Sequence, residues 1–242
     1  CNGGGYAEFV AVPAGQVLPL TKGWTMTEGA ALPETLFTVQ QTMIDRAGLK
    51  NGQNVLIHGG AGGIGAAAIQ LAKLKGCFVI ATASSEEKLE YIKQVGADVA
   101  INYVTEDFVE KTKSATDGKG ADVIIDIIGA DYVDRNIRAA AVEGTIVQLA
   151  NLGGREATLT MGLVVAKRLT IFGSTLRAQA DDVKATIANN LRDQVWPHIE
   201  SGNFIKPKIR TFKLADASSA HAAMDAGDHF GKIVLTTNNA DS

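Results

Sequence analysis

Short apolar runs alternate with segments of helical periodicity from residue 52 to about residue 175. Residues 54–58 and 123–128 are almost continuously apolar, which is typical of strands buried on both faces of a sheet. Strands that alternate with helices form parallel sheets covered by helices on both sides. The pattern therefore predicts an α/β fold with a doubly wound, six-stranded parallel sheet. The predicted strands are residues 54–58, 78–83, 99–103, 123–128, 145–150 and 169–174, and the predicted helices are residues 62–75, 86–95, 107–116 and 132–141.

The two ends of the chain carry a different pattern. Residues 6–13 alternate between apolar and polar side chains, as in a half-exposed antiparallel strand. A helix is predicted over residues 27–47, with a break at Pro33. Neither end can form a core alone, so both are assigned to one second domain that is split around the first. The later elements are predicted at residues 181–201, 208–212, 215–226 and 232–236, and the domain boundaries at 1–40, 41–175 and 176–242.

The turn between the first predicted strand and the first predicted helix is rich in glycine. Residues 59–65 read GGAGGIG, so the dinucleotide-binding pattern is met at Gly60, Gly62 and Gly65. Glycine lets the chain turn tightly, lets the backbone approach a pyrophosphate and lets the helix pack against the strand. The helix N-terminus offers unpaired N–H groups and a partial positive charge to phosphates. The strand–turn–helix context favours a Rossmann nucleotide site over the alternative, a turn with a structural role only.

The end of the second predicted strand bears on which nicotinamide cofactor would bind. NAD sites place a carboxylate about 20 residues after the glycine turn, where it holds the ribose 2′-hydroxyl and repels a 2′-phosphate. Here Ser84 stands at the tip of the strand and Lys88 follows one helical turn later, a pair that favours the 2′-phosphate of NADPH. Two alternatives stay open. Residues 84–87 also match a capping box in which Ser84 starts the helix, and Glu86 or Glu87 is either solvated or reaches the ribose.

Composition adds several exclusions. Of the 242 residues, 46% are hydrophobic and 20% are charged, which is sufficient for a sizeable core. The formal net charge of −3 gives no sign of a nucleic-acid or anionic-membrane partner. Two cysteines form no disulfide framework and favour a reducing, cytoplasmic location. The sequence shows no initiating Met, signal peptide or bilayer-spanning apolar stretch, so an internal start is expected.

Candidate metal ligands and nucleophiles are scattered along the chain. A zinc site needs Cys, His or carboxylate ligands at matched spacing, and Cys1, Cys77 and the four histidines offer none. His58 follows an apolar strand and is expected to be a structural histidine with satisfied hydrogen bonds, whereas His198 and His221 are expected at the surface. No Ser–His–Asp arrangement or nucleophile elbow is present. We therefore expect no metal site and assign no catalytic residue.

The order of these motifs resembles the medium-chain dehydrogenase/reductase superfamily, in its zinc-independent quinone oxidoreductase branch, the zeta-crystallin-like proteins. The likeness covers essentially the whole chain, and in this branch the glycine turn is matched by positions 59, 62 and 65. The resemblance implies that most of an N-terminal GroES-like, β-rich substrate domain precedes Cys1. Residues 1–40 would be the remainder of that domain, and residues 176–242 would return to it. The stretches that carry the resemblance are residues 3–9, 30–35 with 38, 55–65, 96–98, 102–103, 126–129 and 231–235.

The resemblance implies an NADPH-dependent oxidoreductase that transfers hydride to a quinone or an activated alkene (an enone) without zinc. A 2-enoyl thioester reductase and an NADPH-binding protein with little turnover are the alternatives. Tyr103 matches a tyrosine at the adenosine phosphate, and Thr38 a threonine beside the nicotinamide. For Leu149, Leu152 and Leu176, ordinary core packing is the alternative. The cofactor-binding residues implied are Thr38, Ala61, Gly62, Gly63, Ile64, Gly65, Ser84, Lys88, Tyr103, Ile128, Gly129, Leu149, Leu152, Leu176, His229 and Lys232.

A homodimer is also implied by the resemblance. The sixth predicted strand, with its flanks at residues 168–174, would form the edge of the sheet. Pairing this strand with its symmetry mate would cover an edge that otherwise invites aggregation. The expected partners are therefore a second copy of the chain and a small-molecule acceptor, with no nucleic acid and no membrane.

Overall fold

A computed structural model describes residues 3–227 and 230–237 of the chain. The chain divides into two compact units: the sheet unit, Gln41–Thr175, and the flanking unit, Cys1–Gln40 with Leu176–Ser242. A π-helix, Gln40–Arg46, precedes the first strand. The α-helices are α1 (Met26–Ala30), α2 (Pro33–Val39), α3 (Gly63–Leu74), α4 (Glu86–Gln94), α5 (Phe108–Ala115), α6 (Tyr132–Ala139), α7 (Met161–Lys167), α8 (Asp181–Gln194), α9 (Trp196–Glu200) and α10 (Ala217–Asp225). The strands are β1 (Asn54–Ile57), β2 (Phe78–Ala83), β3 (Val99–Asn102), β4 (Ala121–Asp126), β5 (Ala140–Gln148), β6 (Thr170–Gly173), β7 (Ile209–Lys213) and β8 (Lys232–Thr236).

The sheet unit is built on six parallel strands in the order β3-β2-β1-β4-β5-β6. The strand order reverses between β1 and β4, because the chain first runs outward from β1 to β3 and then returns to the other side of β1. Doubly wound sheets bind ligands outside the carboxyl ends of the strands at such a reversal. The predicted fold, an α/β doubly wound sheet of six parallel strands, is confirmed.

The core of this unit follows from the apolar strands. Leu56 of β1 pairs in register with Ile80 of β2 and Ile124 of β4, and Ile124 pairs with Ile146 of β5. All four side chains are at most 1% exposed. Phe108 at the start of α5 belongs to the same buried cluster. Burying an aliphatic side chain of this size contributes about 1.5–3 kcal/mol, so the central strands are anchored regardless of what binds at their ends.

The region between α6 and β6 differs from the prediction. β5 begins at Ala140, five residues earlier than predicted, and its register against β4 shifts near the start. Glu143 has a φ of +63°, which locally distorts the strand and separates its two parts. Helix α7 had no predicted counterpart, and its Gly162 and paired valines give it a low intrinsic helix propensity. Lys167 at its end donates to the Ile137, Arg138 and Ala140 carbonyls at 2.7–2.9 Å, a tertiary anchor without a local sequence signal.

The flanking unit contains short helices and one pair of strands. The predicted break at Pro33 is confirmed, because Pro33 is the first residue of α2. The long helix predicted over residues 181–201 is instead two helices, α8 and α9, since Pro197 stands in the first turn of α9 and interrupts the run. Strands β7 and β8 pair in parallel, with Ile209 opposite Lys232.

The strand predicted over residues 6–13 is wrong. The structure assigns no strand to this segment, and its apolar side chains are open to solvent, with Phe9 90% and Val10 49% exposed. An alternating pattern becomes a strand only when another strand satisfies its backbone groups, and no described segment pairs with this one. The described helices include none with the length and apolar character needed to cross a bilayer.

Candidate cofactor-binding site

The glycine turn lies between β1 and α3, at the carboxyl end of the sheet. Its backbone is tied to the neighbouring strand, since the Gly60 N–H donates to Thr82 O at 2.9 Å. Gly62 starts α3 without any side-chain cap. Within the part of the chain that the structure describes, the N–H groups of residues 63–65 have no acceptor. Open N–H donors and the positive end of a helix dipole are the two features by which helix N-termini bind anions.

Four glycines of the turn each have a physical reason of their own. Gly59 has a φ of +66°, which favours glycine. A Cβ on Gly65 would lie 2.3 Å from Gly59 O and 2.6 Å from Gly60 Cα, so only glycine lets α3 approach the turn. A Cβ on Gly60 would lie 3.0 Å from Ala81 Cβ. Gly62 is exposed, and its nearest neighbour would be 3.4 Å away, so its missing side chain leaves space on the outer side of the turn.

The ends of β2 and β3 bring three predicted cofactor residues to adjacent positions. Ala83 pairs with Asn102, and the next residue, Tyr103, donates its N–H to Ala83 O at 3.1 Å. Ser84 follows Ala83 directly, and Lys88 lies one turn into α4. Tyr103 is exposed, whereas Ser84 and Lys88 are half-buried. The ion pairs among the described residues do not include the Lys88 ammonium.

The capping interpretation of Ser84 is wrong by one residue. Ser85 is the N-cap of α4, and its hydroxyl accepts from the Lys88 N–H at 3.4 Å. Ser85 has the extended backbone that a cap needs, with φ −147° and ψ 157°. The Ser84 hydroxyl is therefore not consumed by the helix. Glu86 and Glu87 are exposed first-turn acids, in agreement with the solvated alternative.

The loops after β4 and β5 hold the next group of predicted residues. Asp126 ends β4, and its Oδ1 accepts from the Ile128 N–H at 2.6 Å and from the Gly129 N–H at 3.1 Å. Gly129 has a φ of +70°, so the tight turn requires glycine. Leu152 is 75% exposed, which excludes core packing for it. Leu149 is half-buried, and its N–H donates to Asp126 O at 2.8 Å.

A cavity of about 350 Å³ opens at the carboxyl ends of β5 and β6. This volume is at the lower end of the range of small-molecule sites. Polar groups within it are already oriented, because Gln148 Nε2 donates to Ala150 O at 2.6 Å and Ser174 Oγ donates to Gln41 Oε1 at 3.3 Å. The lining residues are Gln148, Leu149, Ala150, Asn151, Gly173, Ser174 and Thr175.

A buried polar network lies beneath the glycine turn. His58 is 1% exposed, with Nδ1 3.2 Å from Thr82 Oγ1 and Nε2 2.8 Å from Asn136 Oδ1. Asn136 Nδ2 in turn donates to Asp126 Oδ2 at 3.0 Å. Burial lowers the pKa of His58, because desolvation disfavours the imidazolium more than Asn136 and Asp126 favour it. The expectation of a structural histidine with satisfied hydrogen bonds is confirmed.

The remaining predicted residues belong to the flanking unit. The Thr38 hydroxyl donates to Glu34 O at 2.8 Å. Lys232 Nζ lies 3.5 Å from Glu34 Oε2. Leu176 is half-buried and lines a cavity of about 530 Å³ within this unit. His229 lies outside the described residues.

The sequence analysis missed three residues of the buried network: Thr82, Asp126 and Asn136. Asp126 did carry a signal, as the one acid in an otherwise apolar strand. Thr82 and Asn136 carried none, because a polar residue in a strand or helix does not reveal its partner. The described residues place no group of three or more His, Cys, Asp or Glu side chains where they could hold a metal ion.

Several known proteins are similar to this chain in sequence. The family model described as zinc-binding dehydrogenase matches residues 63–191, just over half of the chain. The quinone oxidoreductase of Pseudomonas aeruginosa is 30% identical, over 96% of this chain and 71% of its own length. The prosolanapyrone synthase of Alternaria solani is 29% identical, over 99% of this chain but 9% of its own length.

Solved structures show the same fold. A structure described as an NAD-dependent alcohol dehydrogenase matches with a TM-score of 0.85 and 35% identity, over 96% of this chain and 65% of that one. A mycobacterial protein complexed with NADPH matches with a TM-score of 0.83 and 28% identity, over 95% of this chain and 70% of that one. The CurK enoyl reductase matches with a TM-score of 0.78 and 27% identity, over 91% of this chain and 65% of that one.

The chain therefore belongs to the zinc-binding dehydrogenase family, among the quinone oxidoreductases of the medium-chain dehydrogenase/reductase superfamily. The family recognised from its motifs is confirmed. The chain spans 71% of the Pseudomonas quinone oxidoreductase, 65% of the alcohol dehydrogenase structure and 9% of the Alternaria synthase.

Proposed function

We propose that this chain is part of an NADPH-dependent oxidoreductase that reduces a quinone or an activated alkene without zinc. The observation that carries the proposal is the paired arrangement at the sheet reversal. One part is the open N–H groups at the start of α3, and the other is the Ser84, Lys88 and Tyr103 group at the ends of β2 and β3. The first part suits a pyrophosphate, and the second suits the 2′-phosphate of the same dinucleotide.

The choice of NADPH over NADH rests on charge. A 2′-phosphate adds about two negative charges at neutral pH, and Lys88 supplies a positive charge one helical turn after Ser84. No carboxylate stands at the tip of β2, where Ser84 directly follows the last strand residue, Ala83. The Ser84 hydroxyl adds a hydrogen-bond donor, because Ser85 caps the helix in its place. The NADPH complex of the mycobacterial relative supports the same cofactor.

The residues of this chain would bind and orient the cofactor. A bound nicotinamide supplies the hydride. The glycine turn admits the pyrophosphate because Gly62 presents no side chain toward it. The loops after β4 and β5 are fixed by their hydrogen bonds to Asp126, so they need not reorganise when a ligand arrives. The cavity after β5 and β6 is open to solvent on one side, so a ligand could enter it from there.

Hydride transfer to a quinone or an enone needs no metal in principle, because the acceptor carbonyl itself takes up the electron pair. The described residues form no metal-ligating group, so no step is assigned to zinc despite the name of the family model. No side chain of this chain is assigned as the proton donor, and we propose solvent as the source. Thr38 and Lys232 are proposed as positioning residues by their match to the family.

A 2-enoyl thioester reductase is the second candidate. It is favoured by the similarity to the CurK enoyl reductase. Both candidates use the same cofactor and differ in the acceptor. A thioester acceptor is attached to a carrier protein or to coenzyme A, whereas a quinone or an enone is a free small molecule. The acceptor assay therefore decides between them.

We also propose a homodimer through the edge strand β6. Ile171 on this strand is 40% exposed, and Val165 on α7 is 69% exposed. Thr170 and Gly173 are exposed as well. An apolar edge with open backbone groups is stabilised by pairing with a second copy. The mass of a monomer in light scattering would contradict the proposed dimer.

The test is binding followed by turnover. Binding of NADPH and NADH to the chain is measured by calorimetry, and oxidation of the bound cofactor is then followed with 1,2-naphthoquinone or crotonyl coenzyme A. NADPH binding at least tenfold tighter than NADH, with naphthoquinone turnover, is expected. Turnover with the thioester alone would support the second candidate. Binding without turnover would favour an NADPH-binding role, and the absence of any binding would overturn the proposal.

A further inference from the structure

The polar network beneath the glycine turn has one consistent set of hydrogen-bond directions. Asn136 Nδ2 must donate to the Asp126 carboxylate, so Asn136 Oδ1 accepts from His58 Nε2–H. His58 Nδ1 then carries a lone pair and accepts from the Thr82 hydroxyl. The Thr82 oxygen accepts in turn from the Gly59 N–H, at 3.4 Å. Every polar atom of the three linking side chains has a partner that suits its role.

The two ends of this network are the two turns at the reversal of the strand order. At one end, the Gly59 N–H belongs to the glycine turn after β1. At the other end, Asp126 Oδ1 holds the Ile128 and Gly129 N–H groups of the turn after β4. β1 and β4 are neighbours in the sheet, and a dinucleotide in a doubly wound fold lies across the boundary between them. Its path thus passes over both ends of the network.

Packing isolates the network from solvent. The Phe108 ring meets the His58 ring edge-on at 4.6 Å between centroids, and the Tyr132 ring does so at 4.9 Å. The Arg135 guanidinium covers Phe108 at 4.1 Å and pairs with Asp107. Asp126, His58 and Asn136 are each at most 1% exposed. In such surroundings a hydrogen bond is strong when made and costly when broken.

We propose that Thr82, His58 and Asn136 are positioning residues that set the glycine turn and the Ile128–Gly129 turn at the fixed separation that a nicotinamide dinucleotide requires. They touch no ligand themselves. They act through the Gly59 N–H and the Asp126 carboxylate. The role as a cofactor device rests on the proposed function, whereas the coupling between the two turns does not.

The first test replaces Thr82 by Val and, as a matched control, by Ser. The Thr82→Val side chain keeps the shape but cannot donate to His58 or accept from Gly59. We expect faster amide hydrogen exchange at Gly59 and also at Ile128 and Gly129, which lie at the far end of the network. The dissociation constants for NADPH and NADH are expected to rise together, by about threefold to tenfold. Thr82→Ser restores the hydroxyl and is expected to return both readouts to within twofold of the parent.

A second variant, Asn136→Ser, interrupts the network at its other end, between His58 and Asp126. Its short hydroxyl cannot span from His58 to Asp126, and exchange is expected to rise at Gly59 as well as at Ile128. Asn51→Asp, at an exposed position before β1, serves as a control that leaves both readouts unchanged.

Changes confined to the substituted element, with the distant turn unaffected, would overturn the proposal whatever the chain binds. Coupled exchange in a chain that binds no nicotinamide dinucleotide would instead sink the proposed function and its cofactor role. An equal loss of affinity in Thr82→Val and Thr82→Ser would overturn the role of the hydroxyl.

Discussion

The sheet unit and the flanking unit obey different rules. In the sheet unit, Val55, Leu56 and Ile57 of β1 are fully buried, and each has parallel neighbours on both sides. In the flanking unit, Phe9 and Val10 are apolar as well, but their side chains remain exposed to solvent. A continuous apolar run encodes burial in itself, whereas an alternating run encodes a strand only if a partner strand exists. A continuous apolar run is therefore sufficient to predict a buried strand, and an alternating run is not.

The largest expected effect is on the free energy of unfolding. It comes from a glycine substitution in the sheet unit, which we compare with one in the flanking unit. A Cβ on Gly65 would lie 2.3 Å from the Gly59 carbonyl oxygen, which is fixed backbone. A Cβ on Gly29 in α1 would lie 2.4 Å from Leu20 Cδ1, the mobile end of a side chain. Gly65→Ala is therefore expected to lower the free energy of unfolding by about 2–3 kcal/mol, and Gly29→Ala to change it by less than about 1 kcal/mol. Urea denaturation measures both.

Gly162→Ala is the matched control within the sheet unit. Its Cβ would meet nothing within 4 Å, and it lies in a helix, so a gain of up to about 1 kcal/mol is expected. If Gly65→Ala were as harmless as Gly162→Ala, the close approach of α3 to the turn would be contradicted. Gly65→Ala is also expected to weaken NADPH binding at least tenfold.

The next effect concerns cofactor choice. Lys88→Ala is expected to raise the KM for NADPH about tenfold and leave the KM for NADH unchanged, because only NADPH carries the 2′-phosphate. A charge-assisted hydrogen bond of about 1.5–3 kcal/mol accounts for this. Lys93→Ala, at an exposed position on the same helix, is the control. Lys232→Ala in the flanking unit is expected to act on both cofactors alike, since its ammonium faces Glu34. Unchanged NADPH kinetics in Lys88→Ala would sink the NADPH assignment.

Part of the fold and of the candidate site could be predicted from the sequence. The six-stranded α/β architecture and the glycine turn followed from apolar runs and from Gly60, Gly62 and Gly65, because both signals lie in local segments of the sequence. The sequence left Ser84 open as an N-cap and the structure has Ser85 there, since either serine satisfies the local pattern and only the backbone angles distinguish them. Helix boundaries in the middle of the chain were accurate to within two residues.

The missed features all depend on distant partners. β5 starts early because Ala140 pairs with Ala121 on β4. Asn136 looks like an ordinary helix residue until the fold brings it to His58, 78 positions away in the chain. No periodicity or spacing rule reports such contacts, so the sequence indicated His58 as a structural histidine and Asp126 as an isolated acid, but not the network that joins them.

The third effect is the response of stability to acid. Because burial lowers the pKa of His58 in the folded chain, the unfolded chain takes up a proton below about pH 6.5 that the folded chain resists. The contribution is complete above this pH and is lost as the pH falls, with a slope of at most about 1.4 kcal/mol per pH unit. His58→Gln is expected to reduce the acid slope by that amount in urea denaturation from pH 8 to 5. His198→Gln in the flanking unit is the control, because it removes a histidine without touching the buried one, and its acid slope is expected to match that of the parent. Equal slopes in the parent and His58→Gln would contradict the prediction.

The smallest effects come from surface ion pairs, one in each unit. Lys206 lies 2.7 Å from Glu28 in the flanking unit, and Lys73 lies 2.8 Å from Asp98 in the sheet unit. Exposed pairs contribute about 0.2–1 kcal/mol, so both Lys206→Met and Lys73→Met are expected to be mild and to become milder in 1 M salt. Lys73→Met should cost more, because Asp98 also holds the Val79 N–H at 2.7 Å and its orientation supports a buried strand. Thermal denaturation of both variants at low and high salt would measure this, and a larger loss for Lys206→Met would mean that the flanking unit depends on its charges more than its exposed apolar surface suggests.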